Sequence, residues 1–243
     1  MSLAIVAVVD TGVDDALALV VATRHPALDL RGVVCTGGNV PLPRVLTNTR
    51  YVLDLLDAKV PIAVGAERRL DGSSYGDRSV HGPDGLAGLG PPDEPASDRL
   101  VRAGGGNATG QRLVRPDKSA VVPVTDLITE ETVVVSLGPL TPLAGVPAGR
   151  IVAAYARPGR SNYEMDPAAG TKVAVEHADV PDHPVPITPG GTAIGELVTG
   201  LLRHQVRRGA GLGDAAVMLH LAEPDLDPWQ WARRVQMLAA GRD

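Results

Sequence analysis

The chain contains no phenylalanine, and its 243 residues include only two tryptophans and four tyrosines. Its core must therefore be assembled from Val, Leu, Ala and Ile. Cys35 is the sole cysteine, so no internal disulfide can form, which fits a reducing compartment. On an apolar segment it reads as a core residue rather than a nucleophile. No apolar run is long enough to span a bilayer. Residues 3–9 are apolar but lack a basic flank and end in a carboxylate, so they are not read as a signal peptide, and a cytoplasmic location is expected. Lys and Arg number 23 against 28 Asp and Glu, for a net charge of −5; no basic patch points to nucleic acid or to a membrane surface. No phosphate-binding G-x-x-x-x-G-K-[ST] loop occurs. His177, His183, His204 and His220 lack zinc-ligand spacing. With 44% apolar and 21% charged residues, the chain is globular rather than disordered.

What is present begins at Val8: Val-Val-Asp-Thr-Gly-Val-Asp-Asp-Ala-Leu. An apolar segment runs into Asp10, a glycine and the pair Asp14-Asp15, and a helical pattern follows. A carboxylate at a helix start commonly caps free N–H groups. Three within six residues, at the end of a buried strand, repel one another and lose water, which a hard divalent cation would offset. Downstream, short continuous apolar runs alternate with helical patterns. Strands are expected over 4–9, 29–35, 61–64, 132–136 and 151–154. Helices are expected over 14–24, 44–56, 119–128, 142–146, 193–208, 213–221 and 228–240. Continuous rather than alternating apolar strands indicate a parallel sheet buried on both faces. The expected fold is therefore a doubly wound, mostly parallel α/β domain covering 1–243, interrupted by long Gly/Pro-rich loops or insertions at 65–118 and 156–192. Ligands of such sheets bind at the carboxyl ends of the strands. There the sequence places Asp10 to Asp15, Gly37-Gly38-Asn39 and Ser136-Leu137-Gly138-Pro139. Trp229 and Trp231 read either as core anchors or as part of a subunit interface.

Taken in order, these segments resemble the inosine-uridine-type nucleoside hydrolases. Val8 to Ala16 is similar to that family's D-x-D-P-G-x-D-D-A. Gly38-Asn39-Val40 is similar to its G-N-V, and Asn48 sits where it has a helical asparagine. Val80 to Leu86 is similar to V-H-G-x-D-G-L, and Leu137 to Thr141 to L-G-P-L-T. Asn162 and Asp166-Pro167 are similar to N-x-x-x-D-P, and Asp214 falls where the family has an H-D pair. The resemblance implies hydrolysis of the N-glycosidic bond of a ribonucleoside, a small-molecule substrate, and assembly as a homodimer or homotetramer. It implies Ca²⁺ held by Asp10, Asp15, the Leu137 carbonyl and Asp214, with Asp10 as general base. It also implies ribose contacts from Asp14, Asn39 and Asn162.

The chain departs from the family in specific places. Val8 replaces the first Asp of the opening motif and Thr11 its Pro. Gly213 stands where many members have a His, which removes the usual proton donor and leaves His81 as the candidate acid. Arg160 falls where the family has a Glu near the ribose 5′-hydroxyl, and the chain is shorter than typical members. The expected residues of the metal survive, and the changes fall on leaving-group activation and on the 5′ side of the sugar. Two alternatives follow. Arg160, suited to anionic oxygens, would accept a nucleoside 5′-monophosphate or a modified nucleoside. Otherwise the protein keeps the sugar and calcium platform without hydrolysis and acts as a binding or interaction member.

Overall fold

Residue 13 begins a helix because the apolar strand before it ends at a carboxylate and a glycine; that junction sets the geometry of the whole molecule. The computed structural model describes residues 1–75, 80–91, 121–146, 148–154, 175–178, 187 and 190–242. The strands are β1 (Leu3–Val9), β2 (Leu28–Cys35), β3 (Ile62–Val64), β4 (Val121–Val122), β5 (Val133–Ser136), β6 (Arg150–Ala154) and β7 (Val175–Ala178). The helices are α1 (Val13–Arg24), α2 (Leu42–Leu55), α3 (Val124–Leu127), α4 (Ala193–Arg208), α5 (Asp214–Ala222) and α6 (Trp231–Ala239), with single 3₁₀ turns at Thr141–Leu143 and Pro228–Gln230. The strands form one sheet in the order β4-β3-β2-β1-β5-β6-β7, and each neighbouring pair is parallel.

β1 is central because both of its faces are apolar. Ile5, Ala7 and Val9 pack with α1, α2 and α4 to α6. Val6 and Val8 pack on the opposite face with Val34, Val134, Ile128 and Leu143, flanked by Val124 and Leu127 of α3. Burial on both faces explains why the strand carries no polar alternation. The α/β expectation therefore holds, with unequal layers: among the described residues, the long helices share one face and only α3 and a 3₁₀ turn cover the other. Strand order runs outward from β1 in both directions, so the chain switches side between β1 and β5. Crevices at such points lie outside the carboxyl ends of the strands, where Asp10, Gly38 and Leu137 sit.

Two expected elements are corrected. Residues 119–128 do not form one helix. Val121 and Val122 pair with Ile62 and Ala63 as an edge strand, and Pro123, which cannot continue a ladder or sit inside a helix, separates them from the single turn of α3. Residues 156–192 are not an uninterrupted connection, because Val175–Ala178 adds β7 beside β6. Four residues carrying Glu176 and His177 are too short and too polar to show a buried-strand pattern. The last helix is divided: Pro228–Gln230 is a 3₁₀ turn capped by the Asp227 side chain, which accepts from Trp229 N at 3.0 Å. Trp231 is buried and Trp229 exposed, so of the two only Trp231 is a core anchor. Cys35 is fully buried, and burial pushes its thiol up to about 12, consistent with a core residue.

Candidate metal and substrate site at the strand ends

The turn between β1 and α1 is closed by Asp15. One of its oxygens accepts from Asp10 N at 3.2 Å and the other from Gly12 N at 2.9 Å. Asp15 thus satisfies the N–H of the Gly12 N-cap, which α1 would leave bare, and that of Asp10 at the end of β1. Its second oxygen also accepts from Asn39 Nδ2 at 3.2 Å, while Asn39 N donates to Asp10 Oδ2 at 2.7 Å. The β2 loop is thereby tied to both carboxylates. That approach depends on Gly38, where a Cβ would lie 1.9 Å from Asp10 Oδ2. From the other side, Leu137 N and Gly138 N both donate to Val8 O at 2.8 and 3.1 Å. Val8 therefore serves the site through its backbone, while its side chain packs in the core.

Asp14, Asp15 and Asp214 each offer a carboxylate oxygen within 4.8 Å of the others'. Asp15 and Asp214 are buried, and Asp14 is about four-fifths so. Burial, and after it the negative charge of Asp14, raise Asp15 well above the usual carboxylate range, against the lowering effect of the Gly12 and Asp10 amides. A protein has little reason to crowd anions this way unless a cation offsets the repulsion. Oxygens that ligate one Ca²⁺ ion lie no more than ~5 Å apart, so three oxygens this close could share a single ion. The donor set fits that ion and offers no soft ligand.

His81 comes to the same place from the loop after β3. Val13 N, in the first turn of α1, donates to its Nδ1 at 3.1 Å, so Nδ1 is an acceptor and the ring proton resides on Nε2. Asp14 Oδ1 is 3.6 Å from the same Nδ1, outside hydrogen-bond range; the amide, not the carboxylate, fixes the tautomer. The loop is itself rigidly built. Asp84 accepts from the N–H groups of Leu86, Gly88 and Gly90 at 3.1, 2.9 and 3.1 Å. Burial opposes its ionisation, but these amides prevail and hold its carboxyl below the usual range.

Sequence reasoning missed the residues that anchor this loop. Asn48 Nδ2 donates to Thr11 O at 3.2 Å and to Asp84 O at 2.8 Å, joining the β1–α1 turn to the loop from within α2. His204 Nε2 on α4 bonds Val80 O at 2.9 Å. Thr11 and Thr49 hydroxyls meet at 2.6 Å. Only Asn48 had a motif signal; a lone helical His has none. The structure brings together Asp10, Asp14, Asp15, Asn39, His81, Leu137 and Asp214. Arg160 and Asn162 lie outside the described residues. Beside Gly38 a cleft opens between Glu67, Arg68, Ser74 and Tyr75, with the Tyr75 hydroxyl bonded to Thr141 at 2.7 Å.

Comparison with known proteins identifies the family and the fold. The profile of a family described as inosine-uridine preferring nucleoside hydrolase matches residues 5–147. A Corynebacterium ammoniagenes protein described only by its position 3′ of ribF is 44% identical over 80 residues, 32% of this chain and 85% of that one. The pyrimidine-specific ribonucleoside hydrolase RihB of Escherichia coli is 35% identical over 79 residues, 32% of this chain and only 25% of that enzyme. The structure of a purine-preferring ribonucleoside hydrolase from Gardnerella vaginalis shares the fold, with a TM-score of 0.65 at 19% identity, over 92% of this chain and 81% of that one.

Proposed function

Because the chain belongs to the inosine-uridine preferring nucleoside hydrolase family, we propose that it hydrolyses the N-glycosidic bond of a ribonucleoside, using Ca²⁺ held by Asp10, Asp15, Asp214 and the Leu137 carbonyl. The observation that carries this reading is the clustering of buried carboxylates at the point where strand order reverses. A bound Ca²⁺ supplies orientation and acidity to a water molecule. Asp10, held by the Asn39 amide, would take a proton from the attacking water as its oxygen bonds to the anomeric carbon and the bond to the base breaks. The sugar passes through an oxocarbenium-like state, which surrounding carboxylates stabilise. With its amide nitrogen turned to Asp15, Asn39 offers its side-chain carbonyl to a ribose hydroxyl; Asp14 and Asn162 supply further ribose contacts. His81, with Nδ1 occupied by Val13 N, has Nε2–H to donate to the departing base. The products are one ribose and one protonated free base.

The test is base release. Purified protein is incubated with Ca²⁺ and a panel of purine and pyrimidine nucleosides and their 5′-monophosphates, with and without chelator. Chelator-sensitive release is expected, and Asp10→Ala abolishes it while leaving the fold intact. A preference for monophosphates that falls in Arg160→Glu would assign that arginine to a 5′-phosphate. Ca²⁺ binding by calorimetry with no release from any substrate would favour a non-hydrolytic sugar-binding member instead.

A further inference from the structure

Gly213 precedes Asp214 at the start of α5, with φ +51° and ψ −123°. Left-handed φ values favour glycine, and here space makes the same demand. A Cβ at this position would lie 2.3 Å from Asp14 Oδ2 and 2.9 Å from Asp14 Cβ. The first turns of α1 and α5 thus meet closely only because residue 213 has no side chain. The Asp14 carboxylate fills the vacated space and lies in the cluster with Asp15 and Asp214. Its Oδ1 is buried and has no hydrogen-bond partner among the described residues; the nearby His81 nitrogen already accepts from Val13 N. The start of α1 favours negative charge, but this oxygen, close to the carboxylates of Asp15 and Asp214, has no hydrogen-bond donor among the described residues and suits a divalent cation.

We propose that Asp14 is a direct ligand of the divalent cation in this chain, and that Gly213 is the positioning residue that admits it. The proposal rests on the calcium reading above and extends it. The residue whose side chain is missing before Asp214 is not merely a lost acid; its absence adds a carboxylate to those of Asp10, Asp15 and Asp214 at the metal site. A larger ligand charge tightens Ca²⁺ binding.

The experiment uses the full chain as wild type, Asp14→Ala and Gly213→Ala. Ca²⁺ affinity is measured by calorimetry, and inner-sphere water by luminescence lifetimes of bound Tb³⁺ in H₂O and D₂O. Asp14→Ala, which leaves no side-chain oxygen to ligate, is expected to weaken Ca²⁺ binding by about tenfold or more and to add about one water to Tb³⁺ as the carboxylate leaves the shell. Gly213→Ala is expected to do the same, because its methyl group displaces that carboxylate. If Gly213→Ala does not fold, Asp14→Ala decides alone. An unchanged water count in Asp14→Ala overturns the proposal even if affinity falls, since charge acts at a distance and coordination does not. Wild-type protein that binds neither ion sinks the calcium reading itself, and this proposal with it.

Discussion

At the scale of single residues, the site is held less by its carboxylates than by the neutral group behind them. Asn48 is fully buried, and its one amide nitrogen serves two carbonyls, Thr11 O on the β1–α1 turn and Asp84 O on the His81 loop. Replacing that nitrogen by oxygen in Asn48→Asp changes shape hardly at all. It leaves both carbonyls without a donor and brings a carboxylate against them. Unsatisfied buried groups cost about 1–3 kcal/mol each, so a loss of roughly 3 kcal/mol is expected, which for a chain of this size lowers Tm by roughly 6–12 °C. A thermal melt checks it; a drop below about 1 °C, far short of that range, would show that the loop docks without Asn48. The Asp10–Asp15 run was legible in the sequence because like charges at a strand end are improbable without a purpose. The hydrogen bonds of Asn48 and His204 were not, because they join segments far apart in the chain.

Elements were legible where burial is two-sided and the segment long. β1, β2, α1, α2 and α4 lie within two residues of their expected bounds, since each carries enough apolar residues to fix its period. β4 and β7 were not, because edge strands of two and four residues take their conformation from the neighbour they pair with. The helix layer on the far side of the site has its own fastening. His25, the C-cap of α1, bonds Glu223 Oε1 at 2.5 Å, and Arg234 Nε of α6 donates to the same oxygen at 2.7 Å. Burial disfavours the Glu223 charge, but these two partners outweigh it and hold the carboxyl below its ordinary value of 4.5. A depressed carboxyl stabilises the fold above its unfolded value, and that contribution disappears as pH falls through its folded value. Glu223→Gln is therefore expected to lower Tm at pH 7 by roughly 2–4 °C, for a loss of about 1 kcal/mol. The gap from wild type should close as pH falls below 4.5 and through the depressed folded value. A gap that is constant from pH 7 to pH 3 would mean that packing, not charge, ties α1 to α6.

For the whole molecule, the decisive fact is that the carboxylates sit at the switch point of one sheet, so a bound cation would report on the fold as well as on the site. β1, α1 and α5 converge there, and Asp14, Asp15 and Asp214 bring like charges together. In chelator, Asp15 carries the penalty directly. Its carboxyl stands above its ordinary value of 3.8, so from that value upward the folded state binds more protons than the unfolded one. Stability must then fall as pH rises from about 4 toward neutrality. With Ca²⁺ at a hundred times its dissociation constant, mass action adds about 2.7 kcal/mol, or roughly 5–11 °C in Tm. The same ion holds Asp15 ionised and removes the falling slope. Melting curves between pH 4 and pH 7, with Ca²⁺ and with chelator, therefore diverge as pH increases, by the most at the neutral end. Curves that run parallel would mean that the three carboxylates meet without a metal, and that the switch point of this sheet serves some purpose other than calcium binding.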